Sequence, residues 1–278
     1  MLNLKEIHKP TTIADAINLL QQPGTVALAG GTALNADARR DVTALVDLSA
    51  LGLSYIRESN AAVAIGATTT LATIDDSPIL RALANGVVAQ AAHRSASSIL
   101  RNQATIAGTL ICEPDGILAV ALLALDARVT IVRKESRTVS LADFLSMREH
   151  LLMTKVTSVM ALVTEISLPM TNPRASLQTV ARTPSDQPIV CVCVSARIDK
   201  GIARDVKIVC GGMGDYANRA MKSEKILEGQ MLTDALSEKS ASVAAEGLSS
   251  QSDFRGSAEY RKEMAVVLTR RALKELAA

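Results

Sequence analysis

The chain has 278 residues, a length that favours two domains or one large domain. Hydrophobic residues make up 48% and charged residues 21%, which excludes an intrinsically disordered chain. Aromatic residues make up only 2%, and a formal charge of +2 gives no reason to expect a polyanionic partner. We therefore expect no binding to nucleic acid.

The sequence also predicts the compartment. No apolar run reaches the roughly 18 residues that a membrane-spanning helix needs, so we expect no membrane insertion. Residues 1–6 lack the basic region and apolar block of a signal peptide. Four scattered cysteines are too few for a disulfide framework. Together these observations predict a cytoplasmic protein.

The first 50 residues alternate between strand-like and helix-like patterns. The predicted elements are, in order, a strand at 4–7, a helix after Thr11-Thr12, a strand at 26–29, a helix at 33–39 and a strand at 44–48. Gly30-Gly31-Thr32 lies between the second strand and the second helix. This pattern predicts a small β-α-β unit with a glycine turn at the end of a strand.

The next 120 residues continue the alternation. We predict a hairpin at 55–65, a long helix from Ser77 to about Arg94, a small-residue loop at 102–109, an apolar helix at 118–125, a strand at 129–132, a short helix at 141–146 and a strand at 159–168.

The composition changes near Pro169 and Pro173, which predicts a linker. Beyond it the pattern predicts three strands, at 177–182, 190–198 and 203–209, followed by helices at 218–229, 232–247 and 258–276. Strands followed by helices indicate an α+β fold, with a three-stranded antiparallel sheet plus helices in this half. We expect domains at 1–170, with subdomains of about 1–52 and 53–170, and at 174–278.

Two glycine turns are candidates for a phosphate site. The first, residues 27–34, follows a strand and opens a helix, where backbone N–H groups can approach a phosphate closely. It matches neither G-x-G-x-x-G nor a P-loop, and taken singly it is more typical of a tight turn. The second, residues 105–109, is also a small-residue turn. The two together make a pyrophosphate ligand more plausible than either does alone.

The cysteines do not predict a metal site. Cys191 and Cys193 alternate along a predicted strand and therefore face one side of it. Without a C-x₂-C pair or a nearby histidine, core packing is favoured over tetrahedral ligation. No pairing of histidine with serine or cysteine forms a recognisable catalytic motif, so no catalytic residue is assigned.

The order of several motifs resembles one family, the FAD-binding medium subunit of the molybdenum hydroxylases, which includes xanthine dehydrogenase and aerobic carbon monoxide dehydrogenase. The motifs cover almost the whole chain: Ala29-Gly30-Gly31-Thr32, Ile65-Gly66-Ala67-Thr68-Thr69, Arg101-Asn102-Gln103-Ala104-Thr105-Ile106-Ala107-Gly108, Ala121-Leu122-Leu123-Ala124-Leu125-Asp126-Ala127, Gly211-Gly212 and Phe254-Arg255-Gly256-Ser257-Ala258-Glu259-Tyr260-Arg261.

The resemblance implies a fold and a cofactor site. The N-terminal domain would be a two-subdomain FAD-binding domain of the PCMH type, with FAD between its subdomains and the pyrophosphate held by the two glycine turns. The C-terminal flavoprotein domain would help to cover the flavin. The implied FAD-binding residues are Ala27, Leu28, Ala29, Gly30, Gly31, Thr32, Ala33, Leu34, Ala67, Thr105, Ala107, Gly108, Thr109, Asp115 and Gln178.

The resemblance also implies an activity. The chain would be an FAD-dependent oxidoreductase subunit that takes electrons from the [2Fe-2S] clusters of a small subunit and passes them to an external acceptor. A large subunit with the molybdenum cofactor would reduce those clusters. Molybdenum and iron–sulfur groups are expected in the partners and not in this chain, and the assembly is expected to be a paired heterotrimer.

Two alternatives stay open. Ala107 and Thr109 stand where the family has glycine and asparagine or serine, and Ile117 stands where it has an acidic residue, for which Asp115 is a possible substitute. These changes suggest a degenerate, flavin-free scaffold subunit as one alternative. The other is a stand-alone FAD oxidoreductase of the same fold, which would show activity as an isolated chain.

Overall fold

The computed structural model describes residues 4–36, 41–154, 158–159, 161–171, 173–183 and 186–277. The chain forms two compact units. Unit 1 comprises Met1–Thr73, Ser98–Cys112 and Ala127–Leu168. Unit 2 comprises Ile74–Ser97, Glu113–Asp126 and Pro169–Ala278.

The helices and strands of the described residues have the following bounds. The helices are α1 (Ile13–Leu20), α2 (Thr32–Ala36), α3 (Leu71–Asp76), α4 (Pro78–Ala82), α5 (Val87–Ser95), α6 (Ser98–Arg101), α7 (Ile106–Cys112), α8 (Ile117–Ala124), α9 (Leu141–Leu152), α10 (Met221–Leu227), α11 (Asp234–Ser242) and α12 (Ala258–Ala277). The strands are β1 (Glu6–His8), β2 (Thr25–Leu28), β3 (Ala44–Asp47), β4 (Ile56–Glu58), β5 (Ala62–Gly66), β6 (Arg128–Val132), β7 (Ser136–Ser140), β8 (Met153–Thr154), β9 (Ser158–Val159), β10 (Leu162–Pro169), β11 (Arg174–Val180), β12 (Val190–Asp199), β13 (Ile202–Gly211) and β14 (Asn218–Arg219).

The first sheet of unit 1 has the order β1-β3-β2, and both pairings are parallel. Thr12 caps α1, because its hydroxyl accepts a hydrogen bond from the N–H of Asp15 at 3.1 Å. The apolar face of α1 is buried in a cluster with Val46 of β3 and with Leu48. The predicted β-α-β unit is confirmed, and its glycine turn follows β2.

The second sheet of unit 1 has the order β4-β5-β10-β6-β7. The predicted hairpin is confirmed as β4 and β5, which pair antiparallel. The prediction missed β7, because its sequence, Ser136-Arg137-Thr138-Val139-Ser140, is mostly polar; only Val139 of this edge strand is buried.

Unit 2 contains an antiparallel sheet with the order β11-β12-β13-β14. The three predicted strands are confirmed, and β14 adds a two-residue edge where the sequence predicted the start of a helix. Valines 190, 192 and 194 of β12 are buried in one core with Leu268 and Leu273 of α12. The buried hydroxyl of Ser195 donates to the carbonyl oxygen of Ala124 at 2.5 Å, which ties β12 to α8. The fold is α+β, as predicted.

The long helix predicted from Ser77 to Arg94 is wrong. It is divided into α4, a short 3₁₀ segment and α5. Ala84, Asn85 and Gly86 all have positive φ angles, of 49°, 58° and 72°, which a right-handed helix cannot accommodate. The side-chain oxygen of Asn85 accepts a hydrogen bond from the N–H of Ala175 at 3.3 Å, a tertiary contact that the local sequence does not reveal.

Across the described ranges, no single helix is both long and apolar enough to cross a membrane. The consecutive short helices α7 and α8 meet the length and composition test only when they are counted together as a bent pair.

Candidate functional site

The first glycine turn lies at the carboxyl end of β2. The last residue of this strand, Leu28, pairs with Asp47, the last residue of β3, so both strands end at one edge of the parallel sheet. Gly31 has a φ of 71°, a left-handed conformation that favours glycine. In the described part of the chain, the N–H groups of Gly30 and Gly31 donate no hydrogen bond, and both residues are half-buried. The turn therefore presents two free donors at the sheet edge.

Asp47, at the end of the neighbouring strand β3, already has polar partners. Its carboxylate accepts a hydrogen bond from the N–H of Ser49 at 2.9 Å and lies 3.7 Å from the ammonium of Lys9. Burial raises the pKa of Asp47, but these hydrogen bonds and the charge of Lys9 lower it by more, so the net pKa lies below its usual value. The carboxylate caps the 3₁₀ turn that follows β3.

The second glycine turn is the start of a helix. Residues 102–109 were expected to form a loop, but α7 begins at Ile106 because the Thr105 hydroxyl caps it, accepting from the N–H of Gly108 at 3.3 Å. The N–H of Thr109 donates to the carbonyl of Thr105 at 2.9 Å. The N–H groups of Ile106 and Ala107 donate to the carbonyls of Thr69 and Ala67, at 3.0 and 3.2 Å. These N–H groups are thus already used within unit 1.

The first turn lies against the residues that directly precede the second. A β-carbon placed on Gly30 would lie 1.9 Å from the carbonyl oxygen of Gln103 and 3.2 Å from the α-carbon of Ala104. Only glycine fits there, because the obstacle is backbone and cannot move aside as a side chain can. The sequence predicted that residues 27–34 and residues 105–109 act together. The structure brings the first turn against Gln103 and Ala104, directly before the second.

Ala67 joins this arrangement from β5. It follows the last residue of that strand, its N–H donates to the carbonyl of Thr164 on β10 at 3.0 Å, and its carbonyl receives the N–H of Ala107. Asp115 and Gln178 belong to unit 2. There the carbonyl of Asp115 accepts from the N–H of Gly212 at 3.2 Å, and the Gln178 amide donates to the Ser176 hydroxyl at 3.3 Å.

The substitutions at the second turn have a structural explanation. Ala107 is 7% exposed, so its methyl group packs into the chain instead of occupying surface space beside the turn. The side chain of Thr109 is half-buried. Ile117 is 1% exposed and belongs to α8, a helix whose residues are all buried, where an unpaired carboxylate would be costly.

The residues present fit an FAD pyrophosphate at the first turn. Its two free N–H groups are the donors that a phosphate oxygen accepts from, and its glycines allow the backbone to approach a ligand closely. The second turn differs, since its N–H groups from Ile106 to Thr109 are engaged within unit 1. The first turn would therefore supply the N–H donors to the phosphate, and the second turn would hold the first in place.

Sequence reasoning gave no role to four residues that make buried or close contacts in the structure. Gln103 and Ala104 pack against Gly30 through their backbone, which no residue type reveals. Thr69 is completely buried, and the only signal for it was a run of three threonines shortly after an apolar strand. Arg261 is also buried; it donates to the carbonyls of Ile189 and Gly212, at 2.6 and 2.8 Å.

The three C-terminal cysteines lie in the core of unit 2. Cys191, Cys193 and Cys210 are free and buried, and burial raises the pKa of the Cys193 and Cys210 thiols to about 12. Among the residues described, no group of three or more histidine, cysteine, aspartate or glutamate side chains could hold a metal ion. The thiols therefore act as small apolar core groups.

Two family models match the chain. Residues 3–171 match the FAD binding domain in molybdopterin dehydrogenase, and residues 161–276 match the CO dehydrogenase flavoprotein C-terminal domain. The glyceraldehyde dehydrogenase medium chain of Sulfolobus acidocaldarius is 29% identical over 274 residues, which cover 96% of each chain. The nicotine 6-hydroxylase medium subunit of Paenarthrobacter nicotinovorans is 29% identical over 277 residues, which cover 97% of this chain and 96% of the relative.

Solved structures agree with the sequence matches. A chain of the Cu,Mo-CO dehydrogenase in its cyanide-inactivated form superimposes with a TM-score of 0.88 at 26% identity, covering 100% of this chain and 99% of that one. A chain of the carbon monoxide dehydrogenase from Hydrogenophaga pseudoflava superimposes with a TM-score of 0.87, also at 26% identity, covering 97% and 96%. On these matches, the chain belongs to the FAD-binding medium subunits of the molybdenum hydroxylase family.

Proposed function

We propose that this chain is the electron-transfer subunit of a molybdenum hydroxylase complex. It takes electrons from the [2Fe-2S] clusters of a small subunit and delivers them to an external acceptor. The observation that carries the proposal is the first glycine turn of unit 1, which packs on the backbone directly before the second turn and leaves the N–H groups of Gly30 and Gly31 free at the edge of a parallel sheet. Relatives named as medium chains of dehydrogenases and hydroxylases support the assignment as one subunit of several.

The residues that would hold FAD divide by unit. In unit 1 the first turn binds the pyrophosphate through the N–H groups of Gly30 and Gly31, and the surrounding small residues allow close approach. The contributing positions are Ala27, Leu28, Ala29, Gly30, Gly31, Thr32, Ala33, Leu34, Ala67, Thr105, Ala107, Gly108 and Thr109. Asp115 and Gln178, which the resemblance also implies, belong to unit 2, and their part in binding FAD stays a prediction.

The first turn binds and orients the ligand through its backbone, and the side chains of the two turns allow close approach and exclude water. They are glycine, alanine, leucine, isoleucine and threonine, none of which exchanges a proton near neutral pH. FAD, when bound, supplies the redox chemistry that no side chain of these turns can supply. A subunit with this role needs no acid–base pair of its own, which agrees with the lack of a recognisable catalytic motif.

The assembly is part of the proposal. Partners would be a small subunit with [2Fe-2S] clusters and a large subunit with the molybdenum cofactor, in a paired heterotrimer in the cytoplasm. Names such as the 6-hydroxypseudooxynicotine dehydrogenase complex subunit alpha of Paenarthrobacter nicotinovorans, 28% identical over 275 residues, support a multi-subunit complex. The FAD-binding domain would span 1–170 and the C-terminal domain 174–278.

The test is a visible absorption spectrum of the purified chain, followed by acid release and identification of any yellow chromophore. The expected result is release of FAD, or uptake of added FAD by a colourless preparation. Reduction of the bound flavin by substrate only in the assembled complex would support the electron-transfer role. Substrate-dependent reduction by the isolated chain would instead identify a stand-alone oxidoreductase.

One outcome would overturn the proposal. If the chain neither carries nor takes up FAD, alone or assembled with its partners, the flavin-free scaffold subunit is the alternative that remains. Where Gly30 or Gly31 is replaced to locate the site, Gly52→Ala is the control for general destabilisation of a turn. Gly52 is also in unit 1, has a φ of 66° and has open space around its β-carbon position.

A further inference from the structure

Thr69 ties two segments of unit 1 together. It is 0% exposed and lies three residues beyond the end of β5. Its hydroxyl accepts a hydrogen bond from the N–H of Tyr55 and donates one to the carbonyl of Tyr55, both at 3.0 Å. The hydroxyl therefore uses its one donor and one of its two acceptor lone pairs on the backbone of one residue, in the segment that leads into β4.

The backbone of Thr69 faces the second glycine turn. Its carbonyl accepts the N–H of Ile106, the first residue of α7, at 3.0 Å. Two positions earlier, the Ala67 carbonyl accepts the N–H of Ala107 at 3.2 Å. These two carbonyls hold the first turn of α7, so any displacement of the Thr69 backbone displaces that turn as well.

The same segment also reaches the first glycine turn. The N–H of Leu71 donates to the carbonyl of Ala104 at 2.9 Å. Ala104 and Gln103 form the backbone surface on which Gly30 packs. The position of residues 67–71 thus determines where the second turn begins and where the first turn rests.

We propose that Thr69 is a positioning residue for FAD: its hydroxyl sets the spacing of the two glycine turns, and thereby the affinity of the chain for the cofactor, without touching it. This inference rests on the proposed binding of FAD by these turns. Without the hydroxyl, the partly buried N–H of Tyr55 loses its partner, and the carbonyl of Tyr55 keeps only the N–H of Gly66, at 2.9 Å, so the segment shifts to reach other partners.

The test compares three variants of the full-length chain. Thr69→Val keeps the shape and removes the hydroxyl, and Thr69→Ser restores the hydroxyl. Thr138→Val is the control, because the Thr138 hydroxyl pairs with that of Thr130 at 3.0 Å on the exposed edge of the same unit. The readouts are the FAD dissociation constant by fluorescence quenching, the visible circular dichroism of bound flavin, and the melting temperature of the FAD-free chain.

We expect only the variant that lacks the Thr69 hydroxyl to lose affinity for FAD. Thr69→Val weakens FAD binding about tenfold or more, the equivalent of one hydrogen bond, and alters the flavin dichroism, while Thr69→Ser and Thr138→Val stay within about threefold of the unsubstituted chain. If Thr69→Val does not fold, Thr69→Ala replaces it, since the smaller side chain leaves space for a water molecule to pair with Tyr55.

Several outcomes contradict the inference. Unchanged affinity and dichroism in Thr69→Val, with only the melting temperature lowered, would reduce Thr69 to a structural role. Failure of Thr69→Ser to restore binding would do the same. Failure of the unsubstituted chain to bind FAD overturns the proposed function itself, and the role of Thr69 with it.

Discussion

The α-carbon of Gly30 faces the carbonyl oxygen of Gln103 so closely that a β-carbon on residue 30 would lie 1.9 Å from that oxygen. The neighbouring Gly31 differs, because its β-carbon would meet only the tip of the Leu28 side chain, at 3.1 Å. Two adjacent glycines therefore have separate functions. Gly30 allows the two turns to pack together, and Gly31 allows the left-handed conformation of the turn.

This difference predicts unequal effects of alanine at the two positions. Gly30→Ala separates the turns, so we expect a loss of about 1–3 kcal/mol in the free energy of unfolding and FAD binding weakened about tenfold or more. Gly31→Ala costs about 1–2 kcal/mol of backbone strain and retains its N–H donor, so its effect on FAD affinity is smaller. Urea unfolding and fluorescence titration with FAD measure the two quantities.

Gly52→Ala separates conformational strain from damage to the site, because it brings the same left-handed strain with no close neighbour. It is expected to lower stability to a similar degree as Gly31→Ala and to leave FAD affinity unchanged. Equal FAD affinity in Gly30→Ala and Gly52→Ala would contradict the packing function assigned to Gly30.

Restoring the family glycine at Ala107 is expected to give little benefit. The methyl group of Ala107 is buried in unit 1, so removing it creates no space for a ligand at the surface. Glycine inside α7 costs about 1 kcal/mol relative to alanine. Ala107→Gly is therefore expected to lower the melting temperature without raising FAD affinity. A rise in affinity of tenfold or more would show that the alanine obstructs the cofactor.

Thiol reactivity provides a test of the core of unit 2. Burial raises the pKa of Cys193 and Cys210 to about 12 and that of Cys191 well above its usual value, so these thiols stay protonated and shielded at pH 8. Cys112 is exposed. An aromatic disulfide reagent is expected to react rapidly with one thiol in the native chain and with four after unfolding. Rapid reaction of a second thiol before unfolding would contradict the burial of this cluster.

The carboxylate of Asp253 predicts a loss of stability in acid. Burial raises its pKa, but hydrogen bonds from the N–H groups of Arg255 and Gly256 and from the guanidinium groups of Arg261 and Arg255 lower it by more, to well below its usual value. The native pKa is thus lower than that of the unfolded chain, about 3.9. The stabilisation is complete above that value and is lost as the pH falls toward the native pKa.

Asp253→Asn isolates this effect. The difference in free energy of unfolding between the unsubstituted chain and Asp253→Asn is expected to be constant above about pH 5 and to shrink below about pH 4. Urea unfolding from pH 3 to pH 7 measures it. A difference that does not change over this range would show that Asp253 titrates equally in the folded and unfolded chain.

Local patterns were sufficient for much of the fold. The alternation at residues 56–66 specified the first hairpin, and the run Val190-Cys191-Val192-Cys193-Val194 specified a strand buried on both faces, because periodicity and β-branched residues act within a few positions. They were insufficient at Ala84 and Asn85, where a contact with β11 accompanies left-handed backbone that an alanine does not favour. They also missed the cap at Thr105, which turned an expected loop into α7.

The sequence by itself determined the family and the glycine turns, because both depend on residue types in a fixed order. Only the tertiary structure decided what each member of the turns does. Gly30 meets the backbone of Gln103, the N–H groups at the start of α7 are spent on Ala67, Thr69 and Thr105, and a buried hydroxyl holds this segment to Tyr55. Apart from the hydroxyl contacts of Thr69 and Thr105, these are contacts with backbone atoms of segments far apart in the chain. Backbone atoms are the same in every residue, so the fold decides which of them meet.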